Sequence, residues 1–340
     1  MNYVKPKIRS LQTHFGTHRG RLVIILHDPL GLSSNVVAIP HELGPLLALC
    51  DGTRTPEELR AALLVRAGIN LPTQHLQHFL EQLDEGLMLD NNRYAAAKAA
   101  LLEKYRSASH REPSSAGTSY PRHTAELQTL LDSFMEKVAG ERHISAEQLA
   151  GARGVICPHI DYARGGQIYA ITWKAVAQAA QAAEQVIILG TDHMGSDGRI
   201  TLTKQNYATP WGVFPTDQDI VDALAQAIGE ESAFGEELHH IAEHSIELAL
   251  VWLHYIRRGK PCKLIPILCG GFHSFVSGDT GPADDATYAR VKEVLAEAIG
   301  QPGTLVIAAA DLAHVGPAFG DMLPFDYLAQ MRLRNADDRL

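Results

Sequence analysis

Apolar residues recur along this chain in two rhythms, and the places where one gives way to the other mark its elements. Leu22 to Leu26 and Val36 to Ile39 are short β-rich runs that read as strands. Helical spacing follows. His41 to Cys50 is apolar on one face and stops at the Asp51-Gly52 turn. Thr55-Pro56-Glu57-Glu58 then supplies a capping threonine, a proline at the first helical position and a glutamate three residues after the cap. Leu59, Leu63 and Leu64 continue that helix, and Leu76, Phe79, Leu80 and Leu83 trace another from Thr73 that ends at Gly86. Leu87 to Leu89 and Arg93 to Tyr94 read as two short strands around a tight turn. With a helix over Ala95 to Arg106, residues 1–106 have a winged-helix (α+β) outline.

Residues 107–118 are small, polar and proline-containing, the composition of a linker. From 119 to 340 strands alternate with helices. Helices are expected over Thr124–Val138, Gln167–Ala183, Asp217–Ile228, Glu243–Ile256 and Asp284–Ile299. The strands between them are Val155–Cys157, Val186–Leu189, Lys263–Leu268 and Thr304–Ala309. That order predicts an α/β sheet flanked by helices.

Charge and cysteine usage narrow the function classes. The net charge is −9, and the first 115 residues carry thirteen basic against eleven acidic groups, so neither part offers a nucleic-acid surface. Cys50, Cys157, Cys262 and Cys269 have no CxxC spacing and sit in or beside apolar runs, as buried thiols do. No apolar stretch is long enough to span a membrane, and no signal-peptide core is present. These features suit a cytoplasmic protein.

The chemistry gathers at strand ends, where open α/β sheets bind ligands. His159 and Asp161 follow one strand, Asp192 and His193 the next, and Asp311 and His314 the last. Glu243 and His244 begin a helix, and His273 follows a strand in GGFHSF, where it can face the same cleft; His239 and His240 read as solvated. Imidazole with carboxylate is the donor set of iron, copper or zinc sites, and a histidine left over can act as general base. The same residues also suit a structural role, capping helices and satisfying one another at a sheet edge.

Seven motifs in order carry a resemblance. AGTSYP, VICPHIDY, VIILGTDHMG, YATPWG, EHSIELAL, IPILCG and AAADLAHVG, spread over about 200 residues, are similar to those of the Memo family, in particular AmmeMemoRadiSam system protein B. The resemblance implies the class III extradiol dioxygenase-like fold, with His159 and His193 as metal ligands and His244 as base. Asp192 joins the catalytic groups; Asp161, Glu243 and His273 are expected at the substrate. Family members place a cysteine where Ala313 stands, so Asp311 or His314 is expected to complete the ligand set. The family also continues for several dozen residues beyond the point where this chain stops, which would leave a sheet edge exposed. The implied cofactor is a divalent metal, and the implied partners are a radical SAM enzyme and an AMMECR-type protein. LLALCDGTRTPEELRAAL with HLQHFLEQLDEGLML resembles PqqD-like modules, which implies peptide recognition by the first domain. The rival expectation is a binding scaffold of the same fold that has lost the metal.

Overall fold

The structure is a computed structural model that describes residues 4–33, 36–140, 149, 151–278, 281–311 and 314–339. It divides into two compact units, Met1–Ala108 and Ser109–Leu340.

In the first unit β1 (Gln12–His18), β2 (Arg21–His27) and β3 (Val37–Pro40) form an antiparallel sheet in that order. The apolar pattern does not predict β1, because its residues stay largely exposed and pairing with β2 holds it instead. Helices α1 (Gly44–Leu49), α2 (Pro56–Ala67) and α3 (Thr73–Glu85) close a core of Leu26, Ile39, Leu46, Leu59, Leu76 and Leu80. The Thr55/Glu58 capping box at the start of α2 forms as its residues predict. The expected β-wing does not. Asn91 is a helix cap rather than a turn residue: its side-chain oxygen accepts from the N–H groups of Arg93 and Tyr94, both at 3.0 Å. That starts α4 (Asn92–Ser107), and Leu89 is left with an isolated bridge to Ile8.

The second unit begins with a segment that is not a free linker. Arg111, Ser115 and Ala116 are buried in it. The elements then run α5 (Thr124–Lys137), β4 (Gly154–Cys157), α6 (Tyr162–Ala175), α7 (Ala177–Ala182) and β5 (Gln185–Thr191). Next are β6 (Ile200–Leu202), β7 (Tyr207–Thr209), β8 (Gly212–Phe214), α8 (Gln218–Ile228), α9 (Glu230–Phe234) and α10 (His239–Ala242). The unit continues with α11 (Ser245–Ile256), β9 (Lys263–Cys269), α12 (His273–Ser277), α13 (Ala286–Gly300), β10 (Thr304–Ala309) and α14 (Tyr327–Asp337).

The sheet order is β4-β10-β5-β9-β6. Its first four strands are parallel and β6 is antiparallel to β9, so the sheet is mixed. β4 is an edge strand, and Ile156 on it is 71% exposed. The single helix expected over 167–183 starts earlier, at Tyr162, because the Asp161 side chain caps it by accepting from Arg164 N–H at 3.1 Å; it breaks at Val176.

α11 is the central helix. Every residue from Ser245 to Leu253 is buried, which is why SIELALVWLHYI is apolar around nearly its whole circumference. It lies close on β5 at Gly190, where any Cβ would come within 2.6 Å of Ile246 Cγ1 and Ser245 Oγ. Glycine there lets the start of α11 reach the carboxyl end of β5. Two histidines from elements distant in sequence thereby meet.

Candidate metal centre

Each histidine of the cluster is placed by a different local device. His159 follows β4 and is only 2% exposed. Its Nδ1 lies 3.0 Å from the carbonyl of Ala309 at the end of β10, so the proton belongs on Nδ1 and the lone pair on Nε2. His193 follows β5, and its Nδ1 lies 3.0 Å from Glu243 Oε2, which also accepts its backbone N–H. His244 sits at the N-cap of α11 with Nδ1 3.2 Å from the other oxygen, Glu243 Oε1. That oxygen further accepts the N–H groups of His244 and Ser245. One buried carboxylate thus holds the His193 imidazole by a hydrogen bond, lies beside the His244 ring without bonding it, and caps a helix.

The rings gather tightly. Their centroids lie 5.1 Å apart for His159 and His193, 5.5 Å for His159 and His244, and 4.8 Å for His193 and His244. One ligand nitrogen from each falls within 4.8 Å of the other two. Asp311 Oδ2 lies 3.0 Å from His159 Nε2 but off any hydrogen-bonding direction, so that buried nitrogen makes no hydrogen bond. A buried ring nitrogen left without a partner, beside two further rings of which His193 has its Nδ1 hydrogen-bonded, fits a divalent metal.

The electrostatics differ from ring to ring. Burial pushes the His159 imidazole below its ordinary pKa, against the pull of Asp311 and the Ala309 carbonyl. Burial lowers His244 as well, against the Glu243 charge. The hydrogen bond to Glu243 raises His193 and outweighs its burial. Burial would raise Glu243 itself, but the hydrogen bond and charge of His193, with the backbone N–H groups of His193 and Ser245, bring it down to about 2.

A cleft of about 1110 Å3 opens in front of the cluster. His159, His193, His244, Asp161, Asp311 and His314 line it. Opposite them are the small hydroxyl residues Ser114, Ser115, Thr118 and Ser119, and an apolar side made by Ile156, Ile160 and Ile168. Asp311 Oδ2 also lies 2.9 Å from Nε2 of the half-exposed His314. Asp161 is paired with Arg164 at 2.5 Å. Ala313, expected in place of a metal-binding cysteine, lies outside the described residues.

Three expected positions need correction. Glu243 does not line the cleft to meet substrate; it is 4% exposed and stands behind the histidines. Asp192 is turned away too, accepting from Met194 N–H at 3.1 Å and lying 2.9 Å from His239 Nδ1. Asp192, His239 and Glu236 form a second group of metal-type donors, but one already occupied with internal hydrogen bonds. His273 is an exposed residue at the start of α12, its N–H bonded to Asp197, and does not reach the cleft.

Sequence reasoning also missed the support under the site. Arg111 and Glu247 form a fully buried ion pair. Arg111 donates to the carbonyls of His240 and Glu243, both at 2.8 Å, while Glu247 accepts the N–H groups of Ser114 and Ser115 and the Tyr120 hydroxyl. A lone glutamate within the apolar SIELALVWL was the available signal. His240, expected to be solvated, is fully buried between the Tyr207 hydroxyl and the Thr201 carbonyl, and burial brings it down to about 3. The cysteines are thiols: burial raises Cys50 and Cys157 to about 12 and Cys262 and Cys269 to about 11.

Known proteins agree with this architecture. The family model described as Memo-like protein matches residues 111–339. A MEMO1 family protein of Aquifex aeolicus is 28% identical over 324 residues, 95% of this chain and 79% of that protein. One from Thermus thermophilus is 29% identical over 270 residues, 79% of this chain and 74% of its own length. A third, from Methanosarcina acetivorans, is 28% identical over 206 residues, 60% of this chain and 67% of its own. With a match that spans the sheet, the cleft and the three histidines, this chain belongs to the Memo family.

Proposed function

We propose that His159, His193 and His244 hold a divalent transition metal, iron, copper or zinc, and that the protein acts on an organic substrate bound in the cleft before it. The observation that carries this is the three-ring cluster: one ligand nitrogen from each ring lies within 4.8 Å of the other two, and His159 and His193 have Nδ1 hydrogen-bonded, which leaves Nε2 as the lone-pair nitrogen on both. When bound, the ion supplies Lewis acidity and, if iron or copper, redox chemistry. The residues of the chain do the rest. Glu243 fixes the His193 ring and, through the backbone N–H groups it accepts, the start of the helix that carries His244; the carboxylate of Asp311, on the cleft side and bonded by His314, takes a proton from a substrate hydroxyl. The apolar side of the cleft excludes water from a bound ring or chain.

His244 was expected as a base, and its place beside the other two rings favours a ligand instead. Calorimetric titration of full-length protein with Zn(II), Cu(II) and, anaerobically, Fe(II) distinguishes the roles. His159→Ala, His193→Ala and His244→Ala should each weaken binding about 100-fold or more, or about 2.7 kcal/mol. Unchanged affinity in His244→Ala alone returns that residue to the base role. No binding by the unaltered protein removes the metal and leaves a binding scaffold.

The role proposed for the whole chain follows the family: work beside a radical SAM enzyme and an AMMECR-type protein, with the first unit recognising a peptide as PqqD-like modules do. Co-purification with and without residues 1–108 tests this. Equal recovery of both partners in the two cases removes the first unit from the interaction.

A further inference from the structure

Between the wall of the cleft and the surface of the second unit lies a run of aromatic rings that the metal site does not use. Tyr169 is fully buried, and its hydroxyl donates at 3.2 Å to the carbonyl of Ile160, the residue directly after His159. Its ring stacks on Trp252 with centroids 5.8 Å apart and planes 8° from parallel. Tyr162 touches both, at 5.2 and 5.9 Å, and Tyr120 at 5.5 Å. Outward from Trp252 comes Tyr255 at 5.6 Å, then Trp211 at 6.4 Å from Tyr255, both half-exposed.

Two details separate this run from ordinary aromatic packing. Tyr255 donates its hydroxyl at 2.6 Å to Asp132, an exposed carboxylate and so a ready proton acceptor. The Trp252 indole N–H, in contrast, is buried with no acceptor among the described residues, as is that of Trp173 outside the run. Such an orphaned donor costs stability and calls for an explanation. An indole with nowhere to send its proton keeps it when it loses an electron, and so stays a cation radical strong enough to oxidise the next ring. A phenol hydrogen-bonded to a carboxylate loses electron and proton together, and the hole stops there.

We propose that Tyr169, Trp252 and Tyr255 form a one-electron relay that carries oxidising equivalents out of the cleft to the Tyr255–Asp132 pair. The relay rests on the metal reading only for its natural oxidant, a one-electron oxidant of the kind that a redox-active metal held by the three histidines would supply. That oxidant gains one electron from the Tyr169/Trp252 stack, and Trp252 becomes a cation radical. Tyr255 then gives Trp252 one electron and Asp132 the phenolic proton. A soluble thiolate supplies the electron that restores Tyr255 and leaves as a thiyl radical, two of which couple to a disulfide, and Asp132 returns the proton. The histidines are thereby spared.

The test needs no metal, so it fails or succeeds apart from that reading. Thr118 lines the cleft and is exposed, whereas the native cysteines are buried or half-buried, so Thr118→Cys in the full chain can carry a ruthenium polypyridyl photo-oxidant. After flash-quench oxidation, transient absorption should show a tyrosyl radical that forms at least tenfold more slowly in Trp252→Phe. Its yield should fall at least tenfold in Tyr255→Phe and in Asp132→Asn, the last an exposed change that leaves the core intact. A tyrosyl signal of the same rise and yield in Tyr255→Phe and Asp132→Asn as in the parent overturns the relay, whatever the fate of Trp252→Phe.

Discussion

The ends of β4 and β5 look alike in sequence and behave differently. Each strand stops at a histidine that enters the same cluster. His159 is buried and leans on a neutral backbone carbonyl; His193 is half-exposed and leans on a carboxylate. The imidazolium is therefore disfavoured at the first and favoured at the second. Burial alone does not decide the protonation of these imidazoles: the hydrogen bond to Glu243 outweighs it at His193, whereas the charge of the same carboxylate without such a bond does not at His244.

The sharpest break of this contrast is Glu243→Gln, which removes the charge but keeps the shape. Metal affinity should fall about 10- to 100-fold, and NMR titration should find His193 shifted down towards the ordinary histidine value while His159 stays in place. Movement of both rings would show that the two strand ends are not independent. A second experiment uses pH. Because ligands bind metal deprotonated, affinity should start to fall as pH drops through the raised pKa of His193, before His159 titrates. Loss that begins only below the ordinary histidine range would assign control to His159 or His244.

The same grip has a sign for folding. Glu243 is depressed from 4.5 to about 2, so its stabilisation is complete above pH 4.5 and is lost as pH falls through 2. His240, held down at about 3, acts in the same direction: the unfolded chain takes up its proton first, so stability falls from pH 6.5 towards 3. Thermal melts across that range should show a steady decline, and a flat profile contradicts both assignments. The smallest effect belongs to Asp161→Asn. Asparagine caps a helix as well as aspartate does, so both melting temperature and metal affinity should change little, within about 0.5 kcal/mol. A larger loss of affinity would give the β4 end a carboxylate partner of its own.

The strand ends were legible because apolar runs break sharply at polar residues, and a parallel sheet brings such breaks to one edge. What the pattern does not encode is direction. Asp192 and His193 are adjacent, yet the turn after β5 sends one side chain back towards His239 and the other forward into the cleft. Glu243 and His244 divide in the same way at the start of α11. His273 follows a strand as the others do, but α12 starts at once and carries it out to solvent. In the first unit Asn91-Asn92 fits a hairpin turn and a helix cap equally well, and only the helix-forming run AAAKAALLEKY beyond it decides. Arg111 was hidden in a stretch that composition marks as a linker, because a single ion pair to a distant helix leaves no periodic trace.

Glu243 also has a mechanical consequence. Since a single carboxylate holds the His193 ring with one oxygen and the backbone N–H groups of His244 and Ser245 with the other, that ring cannot pivot without tugging the start of α11. In the proposed metal site, an ion of larger radius would have to displace the ring against those backbone amides. Selectivity among ions would then be set partly by how stiffly that helix is anchored, at a point no ion touches.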